Sequence, residues 1–208
     1  MASPLPVMPE AMRRRASAPR ARRQQAAGVA PAATRLPEFY QTLSAALGPM
    51  RWWPAKTPFE VIVGAILTQN TAWVNVERAI ANLRREQMLT PRALERAPFA
   101  RLARLVRSSG YFRQKAKKLK AFVRFLREDY SGSLARMFRT PTHELREKLL
   151  AVHGVGPETA DSILLYAGRH PVFVVDAYTR RVLLRHGLIS EKASYEDIRQ
   201  LFESSLPR

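Results

Sequence analysis

Two glycines and a proline suggest a turn that binds phosphate. Gly154 and Gly156 lie two positions apart, directly before Pro157, in the segment VHGVGPETA at 152–160. Glycines allow a tight turn and the close approach of a partner, and Pro157 favours the start of a second helix. The free backbone N–H groups and the positive dipole end of that helix suit a phosphate. The alternative is an ordinary corner between two helices.

Asp176 is a second candidate, because it directly follows the apolar run from Val172 to Val175. In such a position Asp most often serves as a helix N-cap. A carboxylate at the end of a buried segment can also activate a water molecule or stabilise a developing cation. The spacing alone leaves both roles open.

The net charge indicates which partner the turn would bind. The 208 residues contain 35 Lys and Arg against 17 Asp and Glu, which gives a net charge of +18 and a pI of about 11.3. Such an excess favours polyanions, either nucleic acid or anionic lipid. The absence of Cys excludes disulfides, thiolate metal sites and a cysteine nucleophile within these residues. No apolar run reaches the roughly 18 residues of a membrane span, which excludes a transmembrane protein. The basic charge makes DNA backbone binding the stronger interpretation of the turn.

Residues 1–35 differ in composition from the rest of the chain. They contain seven Arg, one Glu and no Lys among Ala and Pro. The composition predicts a disordered basic tail, with a transit peptide or translated upstream sequence as alternatives. Removing its net charge of +6 leaves +12 on residues 36–208, so the folded part is basic as well.

From Leu36 onward, helical spacing predicts an all-α fold. Thr57 to Glu60 matches a capping box with Pro at the first helical position, and the apolar helix at 61–67 is expected to be central. Residues 112–129 are predicted to form a basic amphipathic helix. Its inner face comprises Phe122, Phe125 and Leu126, and its outer face Arg113, Lys115, Lys117, Lys118 and Lys120.

Four motifs occur together: Gly154-Val155-Gly156, Thr159-Ala160, Val175-Asp176 and the segment AILTQNT at 65–71. In combination they resemble the helix-hairpin-helix, Gly/Pro-rich loop, Asp (HhH-GPD) superfamily of DNA glycosylases, and within it the endonuclease III branch. The resemblance covers residues 36–206. It implies a six-helix barrel-like domain and a second helical domain.

The resemblance also implies roles for individual residues. Asp176 would be the catalytic aspartate, and Gln69 would fill the gap that an extruded base leaves in the duplex. Without the resemblance, Gln69 would be interpreted as a solvated helix end. The residues expected to bind DNA are Gln69, Gly154, Val155, Gly156 and Thr159.

Glu158 departs from the pattern of the bifunctional members, which have a Lys two residues after the second hairpin glycine. That amine forms a Schiff base with the sugar and leads to strand cleavage. A carboxylate cannot form an imine, so Glu158 predicts a monofunctional glycosylase that uses water. Its own role is either in the active site or in simple helix-end electrostatics.

Three tryptophans indicate the kind of base. Trp52, Trp53 and Pro54 form a loop before the central helix, and Trp73 follows the Gln69 motif. Core packing is the alternative, but this pattern is similar to the endonuclease III-like 3-methyladenine DNA glycosylases. An N3-alkylated purine is positively charged, and indole faces attract cations by roughly 0.5–2 kcal/mol.

The sequence therefore predicts base-excision repair by a monofunctional DNA N-glycosylase that acts on alkylated purines in damaged double-stranded DNA. One alternative is an endonuclease III-type oxidised-pyrimidine glycosylase and AP lyase, which Glu158 disfavours. The other is a non-catalytic helix-hairpin-helix DNA-binding protein, which Asp176 disfavours. We expect a monomer without a membrane partner, located in the cytoplasm at the bacterial nucleoid, with an organelle or the nucleus as alternatives.

The predicted organisation has four parts: the tail at 1–35, an N-terminal helix and aromatic loop at 36–57, a helical domain at 58–175 with the hairpin motif at 142–168, and the Asp176 helix with further helices at 176–208. Only 32 residues follow Asp176. Family members continue through more helices, many with an iron–sulfur cluster on cysteines there. We therefore expect an incomplete second domain, a partly uncovered stripe of Phe39, Leu43 and Leu47, and no metal or cofactor in this chain. A monovalent ion at the hairpin carbonyls stays open.

Overall fold

The computed structural model describes residues 32–48 and 53–206. These residues contain helices and no β-strand, which confirms the predicted all-α class. None of their helices is long and apolar enough to cross a membrane. The tail up to residue 31 and Trp52 lie outside the described residues.

The helices follow one another along the chain with short connections. They are α1 (Ala32–Leu47), α2 (Pro58–Leu67), α3 (Trp73–Arg85), α4 (Pro91–Arg96), α5 (Phe99–Leu105), α6 (Phe112–Tyr130), α7 (Leu134–Met137), α8 (Thr142–Ala151), α9 (Pro157–Ser162), α10 (Ala177–Arg185) and α11 (Tyr195–Ser205). A 3-10 turn at Arg107–Ser109 precedes α6, and a π-helical turn at Ile163–Ala167 continues α9.

Helix α2 lies at the centre of the larger hydrophobic core, as its apolar sequence predicted. Every residue from Phe59 to Leu67 is buried. The helix packs against α3, α6, α9 and the π-helical turn, so its C-terminal end delivers the loop that contains Gln69 to the hairpin. A helix that is apolar on all sides is stable only where all of its faces are buried.

The predicted capping box at the start of α2 is only half formed. The Thr57 hydroxyl accepts the Glu60 backbone N–H at 3.2 Å, as expected. The Glu60 carboxylate instead accepts from Arg84 at 2.5 Å and from the Lys56 N–H at 3.4 Å. Glu60 is buried, and a nearby guanidinium compensates a buried carboxylate better than a backbone amide does.

Lys115 is not on the outer face of α6, where the sequence interpretation placed it. The residue is only 2% exposed, and its Nζ donates to the Leu67 carbonyl at 2.8 Å and to the Ser109 carbonyl. Both acceptors lie at helix C-terminal ends, where the partial negative charge favours a cation. Lys115 also lies one turn before the buried Leu119, so helical periodicity places it on the inner face. Burial, together with the charge of Lys118, lowers the pKa of Lys115 to about 8.

The lowered pKa of Lys115 predicts that it contributes a free energy of unfolding that increases with pH. Between pH about 8 and the ordinary lysine value of 10.5, the unfolded chain binds a proton that the folded chain has released. The free energy of unfolding should therefore rise over that interval by up to roughly 3 kcal/mol relative to a Lys115→Met variant. Urea unfolding across this pH range would measure the difference. The exposed Lys117→Met variant is the control, and parallel curves for wild type and Lys115→Met would contradict the prediction.

A smaller hydrophobic cluster joins the N-terminal helix to the C-terminal ones. Leu36 on α1 packs with Val175, Leu183, Leu188 and Ile198, and α1 runs against α11. Further along α1, the Phe39 ring packs edge-on against the His186 ring, with the two ring centroids 4.9 Å apart. Leu43 and Leu47 are 53% and 61% exposed. The predicted division into two domains stays a prediction.

Candidate active site

The hairpin between α8 and α9 is built as the two glycines predicted, but they contribute differently. Gly154 has a positive φ of 81°, which only glycine adopts without strain, and the Lys118 side chain lies where a Cβ would be. Gly156 is the N-cap of α9 in an ordinary extended conformation, with nothing within 4 Å of its Cβ position. Gly154 is therefore required by the turn, whereas Gly156 leaves open space beside the N-terminus of α9.

Gln69 is attached to this hairpin, although it lies 85 residues away in the sequence. Its Nε2 donates to the Gly154 carbonyl at 3.1 Å and to the Thr159 hydroxyl at 2.9 Å. Its Oε1 accepts from the Lys118 ammonium. Gln69 is thus half-buried and bonded at both ends of its amide, which excludes the solvated helix end considered from the sequence.

These residues line an open cavity of about 810 Å³, which we call the hairpin groove. Among the predicted residues it is lined by Gln69, Gly154, Val155, Gly156, Glu158 and Thr159. Val155 and Thr159 are themselves buried, and the Thr159 hydroxyl accepts from Gln69. The groove is also lined by Lys118 and Tyr195, which the sequence interpretation did not select for a site.

Asp176 lies beside the groove and acts as a helix N-cap. Its Oδ1 accepts the Thr179 backbone N–H at 2.7 Å, and the neighbouring Ala177 lines the groove. Its Oδ2 accepts no hydrogen bond from the described part of the chain. One oxygen therefore fixes the orientation of the carboxylate and the other is available to a substrate or a water molecule.

Glu158 and Tyr166 are close enough to Asp176 to sense its charge. Partial burial raises the pKa of the Glu158 carboxyl above its usual value, and the Asp176 carboxylate raises it further. The same two causes, in the same order, raise the pKa of the Tyr166 hydroxyl. Glu158 is exposed over much of its surface, so its carboxyl group remains accessible from the groove.

The aromatic residues form one cluster around Trp53. The Trp53 ring centroid lies 5.2 Å from that of Tyr166 and 5.7 Å from that of Trp73, and Gly64 on α2 leaves room for the indole. A Cβ at Gly64 would lie 3.2 Å from Trp53 Cζ2. The Trp53 Nε1 atom is buried and has no hydrogen-bond partner among the residues that the structure describes. Tyr166, which no sequence motif indicated, belongs to this cluster and is also the tyrosine whose hydroxyl pKa the Asp176 carboxylate raises.

The loop that precedes α2 is held in a tight turn. The Ala55 backbone N–H donates to the Trp53 carbonyl at 2.9 Å, across Pro54, and Pro54 itself is exposed. On the other side of the cluster, the Trp73 Nε1 donates to Glu77 at 3.0 Å. The predicted residues Trp53, Pro54 and Trp73 are thus brought to one region, while Trp52 is not described.

An all-helical fold with this hairpin, a glutamine bonded to it and a capping aspartate beside it defines a helix-hairpin-helix DNA glycosylase. Residues 63–208 match the family described as HhH-GPD superfamily base excision DNA repair protein, and the chain belongs to this family.

Relatives and solved structures agree with this membership. A Methanocaldococcus jannaschii protein, named provisionally as a DNA repair glycosylase, is 48% identical over 173 residues, which are 82% of this chain and 78% of that protein. The Helicobacter pylori 3-methyladenine DNA glycosylase MagIII, bound to 1,N6-ethenoadenine, superposes with a TM-score of 0.73 at 31% identity, covering 85% of this chain and 82% of that one. An endonuclease III–DNA complex has the same fold, with a TM-score of 0.73 at 22% identity over 84% of this chain and 78% of that one.

The protein is therefore a DNA-binding enzyme of base-excision repair, a DNA glycosylase. Its residues do not fit the iron–sulfur cluster of many family members, because the 208 residues contain no cysteine to supply thiolate ligands. The described residues also contain no group of three or more His, Asp or Glu side chains that would hold a metal ion.

Proposed function

We propose that this glycosylase hydrolyses the N-glycosidic bond of alkylated purines and leaves the DNA strand intact. The observation that carries the proposal is Glu158, which lies in the hairpin groove two residues after Gly156 and senses the charge of Asp176. At this position a lyase needs an amine that attacks the sugar. With a carboxylate there, water is the nucleophile.

Asp176 supplies the negative charge that the reaction requires. As the base leaves, the sugar develops oxocarbenium character, and a fixed carboxylate stabilises that cation or activates the attacking water. The hydrogen bond from the Thr179 N–H holds Oδ1 at 2.7 Å, so the carboxylate is oriented before the substrate arrives. Preorganisation of this kind is what makes an electrostatic contribution large.

The surroundings of Asp176 favour a positively charged base. Glu158 adds a second acidic group, and the indole and phenol faces of Trp53, Trp73 and Tyr166 attract cations. A cationic alkylated purine is also a good leaving group, so it needs little acid catalysis. The likeness to the Helicobacter pylori 3-methyladenine DNA glycosylase supports this substrate class.

DNA contacts the hairpin through Gly154, Val155, Gly156 and Thr159, while Gln69 enters the duplex in place of the extruded base. The open space beside Gly156 allows a phosphate to approach the backbone. Before Gln69 can enter the duplex, it must leave its bonds to Gly154, Thr159 and Lys118. A phosphate at the hairpin attracts the Lys118 ammonium, which weakens its hold on Gln69.

The proposal is tested by incubating the protein with a methylated duplex and, separately, with a duplex that contains thymine glycol. We expect free methylated purines, strand breaks only after hot alkali, and no covalent complex when borohydride is added. Strand cleavage without alkali, or borohydride trapping on any lysine, would overturn the monofunctional mechanism. Release from the thymine glycol duplex alone would overturn the substrate class.

A further inference from the structure

Tyr195, the first residue of α11, lies outside the four motifs on which the family resemblance rests, yet it lines the hairpin groove. Its hydroxyl donates to Asp161 Oδ2 at 2.9 Å and accepts the Val175 backbone N–H at 3.3 Å. Val175 is the residue that directly precedes Asp176. A single oxygen atom therefore joins the helix after the hairpin to the segment that presents the catalytic carboxylate.

The Asp161 end of this connection is rigid. Asp161 is 0% exposed, and its two oxygens accept Arg146 Nε at 2.7 Å and Nη2 at 3.0 Å. The Arg146 Nη2 atom also donates to Glu196 at 2.6 Å, so the ion pair is tied to α11 as well. A bidentate pair shielded from water holds its geometry more strictly than a surface pair does.

The Val175 end belongs to an extended segment that lies along α11. The Phe173 N–H donates to Glu203 at 3.0 Å, and the Phe173 ring stacks on the Phe202 ring at 3.8 Å. The N–H groups of residues 173 and 175 are thus both bonded to side chains of the same helix. Because Val175 is buried, its N–H has no water to replace the Tyr195 hydroxyl.

We propose that Tyr195 is a positioning residue for Asp176, holding the backbone before it in register with the hairpin through the Asp161–Arg146 pair. Tyr195 does not itself act on the substrate in this role. It determines the position of the Asp176 carboxylate relative to the sugar once the hairpin has bound the DNA. The inference rests on the proposed role of Asp176.

The hydroxyl is suited to this role because it remains protonated. Burial, and next the Asp161 carboxylate, raise the pKa of Tyr195 well above its usual value. It therefore donates to Asp161 at neutral pH. Phe in its place keeps the ring and removes only the two hydrogen bonds.

The experiment compares Tyr195→Phe with wild type in single-turnover release of methylated purines from a methylated duplex. The matched control is Tyr130→Phe, which removes the hydroxyl of a buried tyrosine that accepts from the Thr140 hydroxyl at 3.2 Å and does not line the hairpin groove. We expect about a tenfold loss of the single-turnover rate for Tyr195→Phe, with DNA affinity within about twofold of wild type. Tyr130→Phe should leave both unchanged.

Two further measurements separate positioning from a general structural effect. In the Asp176→Asn background, Tyr195→Phe should change the residual rate by less than about twofold, because its effect passes through Asp176. Amide hydrogen exchange at Val175 should be faster in Tyr195→Phe than in Tyr130→Phe.

A Tyr195→Phe rate equal to that of Tyr130→Phe, the same tenfold loss in both backgrounds, or unchanged exchange at Val175 would each overturn the inference. If Asp176→Asn were as active as wild type, the proposed function would fail instead. The Val175 exchange would then still decide whether Tyr195 holds the segment.

Discussion

Asp176→Asn should lower the single-turnover rate of base release by about a thousandfold or more, since the transition state loses its counter-charge. The fold should remain intact, because Asn is about as good an N-cap as Asp and its side-chain oxygen can accept the Thr179 N–H. DNA affinity should also persist, because the hairpin and Gln69 are untouched. Rate, affinity and thermal unfolding of the purified variant check the three expectations.

The control is Asp197→Asn, the same chemical change in the first turn of α11. The Asp197 carboxylate accepts the Ser194 N–H at 2.8 Å, so it too caps a helix, but it does not line the hairpin groove. We expect this variant to release bases at the wild-type rate. Wild-type activity of Asp176→Asn, or an equal loss in both variants, would contradict the role assigned to Asp176.

Arg146→Met should lower the free energy of unfolding by about 3–5 kcal/mol, the largest effect on stability that we expect of any variant. The variant leaves the Asp161 carboxylate buried at 0% exposure without its cation. Removing one partner of a buried pair costs more than the pair contributes, because the remaining charge cannot be hydrated. Urea unfolding at neutral pH measures the change as a lower midpoint with an unchanged slope.

Arg101→Met is the matched control for this prediction. Arg101 forms an ion pair with Glu86 at 2.7 Å, but 47% and 37% of the two side chains are exposed. Water screens such a pair, so its loss should change the unfolding free energy by no more than about 1 kcal/mol. An equally small change in the unfolding free energy of Arg146→Met would contradict the prediction. It would mean that the Asp161 carboxylate becomes protonated or hydrated in that variant.

Local features of the protein followed from the sequence alone. The turn at Gly154, the start of α9 at Pro157 and the Thr57 cap depend on interactions within a few residues, which spacing and residue type determine. The Asp176 N-cap is of the same kind. These local rules, together with the motif resemblance, were enough for the fold class and for most of the candidate site residues.

The partners of individual side chains differed from the sequence prediction where a residue distant in the sequence competes for the same polar group. Glu60 matched a capping box, but Arg84 bonds its carboxylate in the folded chain. Lys115 has the side chain of a surface residue, yet two helix ends supply carbonyls that accept its ammonium inside the core. Residue type predicts a preference, and burial beside a suitable partner overrides it.

Only the tertiary structure decided which groups meet at the site. Gln69 bonds to a hairpin 85 residues away, and Tyr195 reaches Asp161 across 34 residues. Neither partner could be predicted from periodicity or residue type, because both contacts arise from how the helices pack around α2 and α11. The sequence by itself determined where the chain turns and how its charge is distributed. The packing of distant helices determined which side chains bond to each buried carboxylate, and thereby the orientation of that carboxylate.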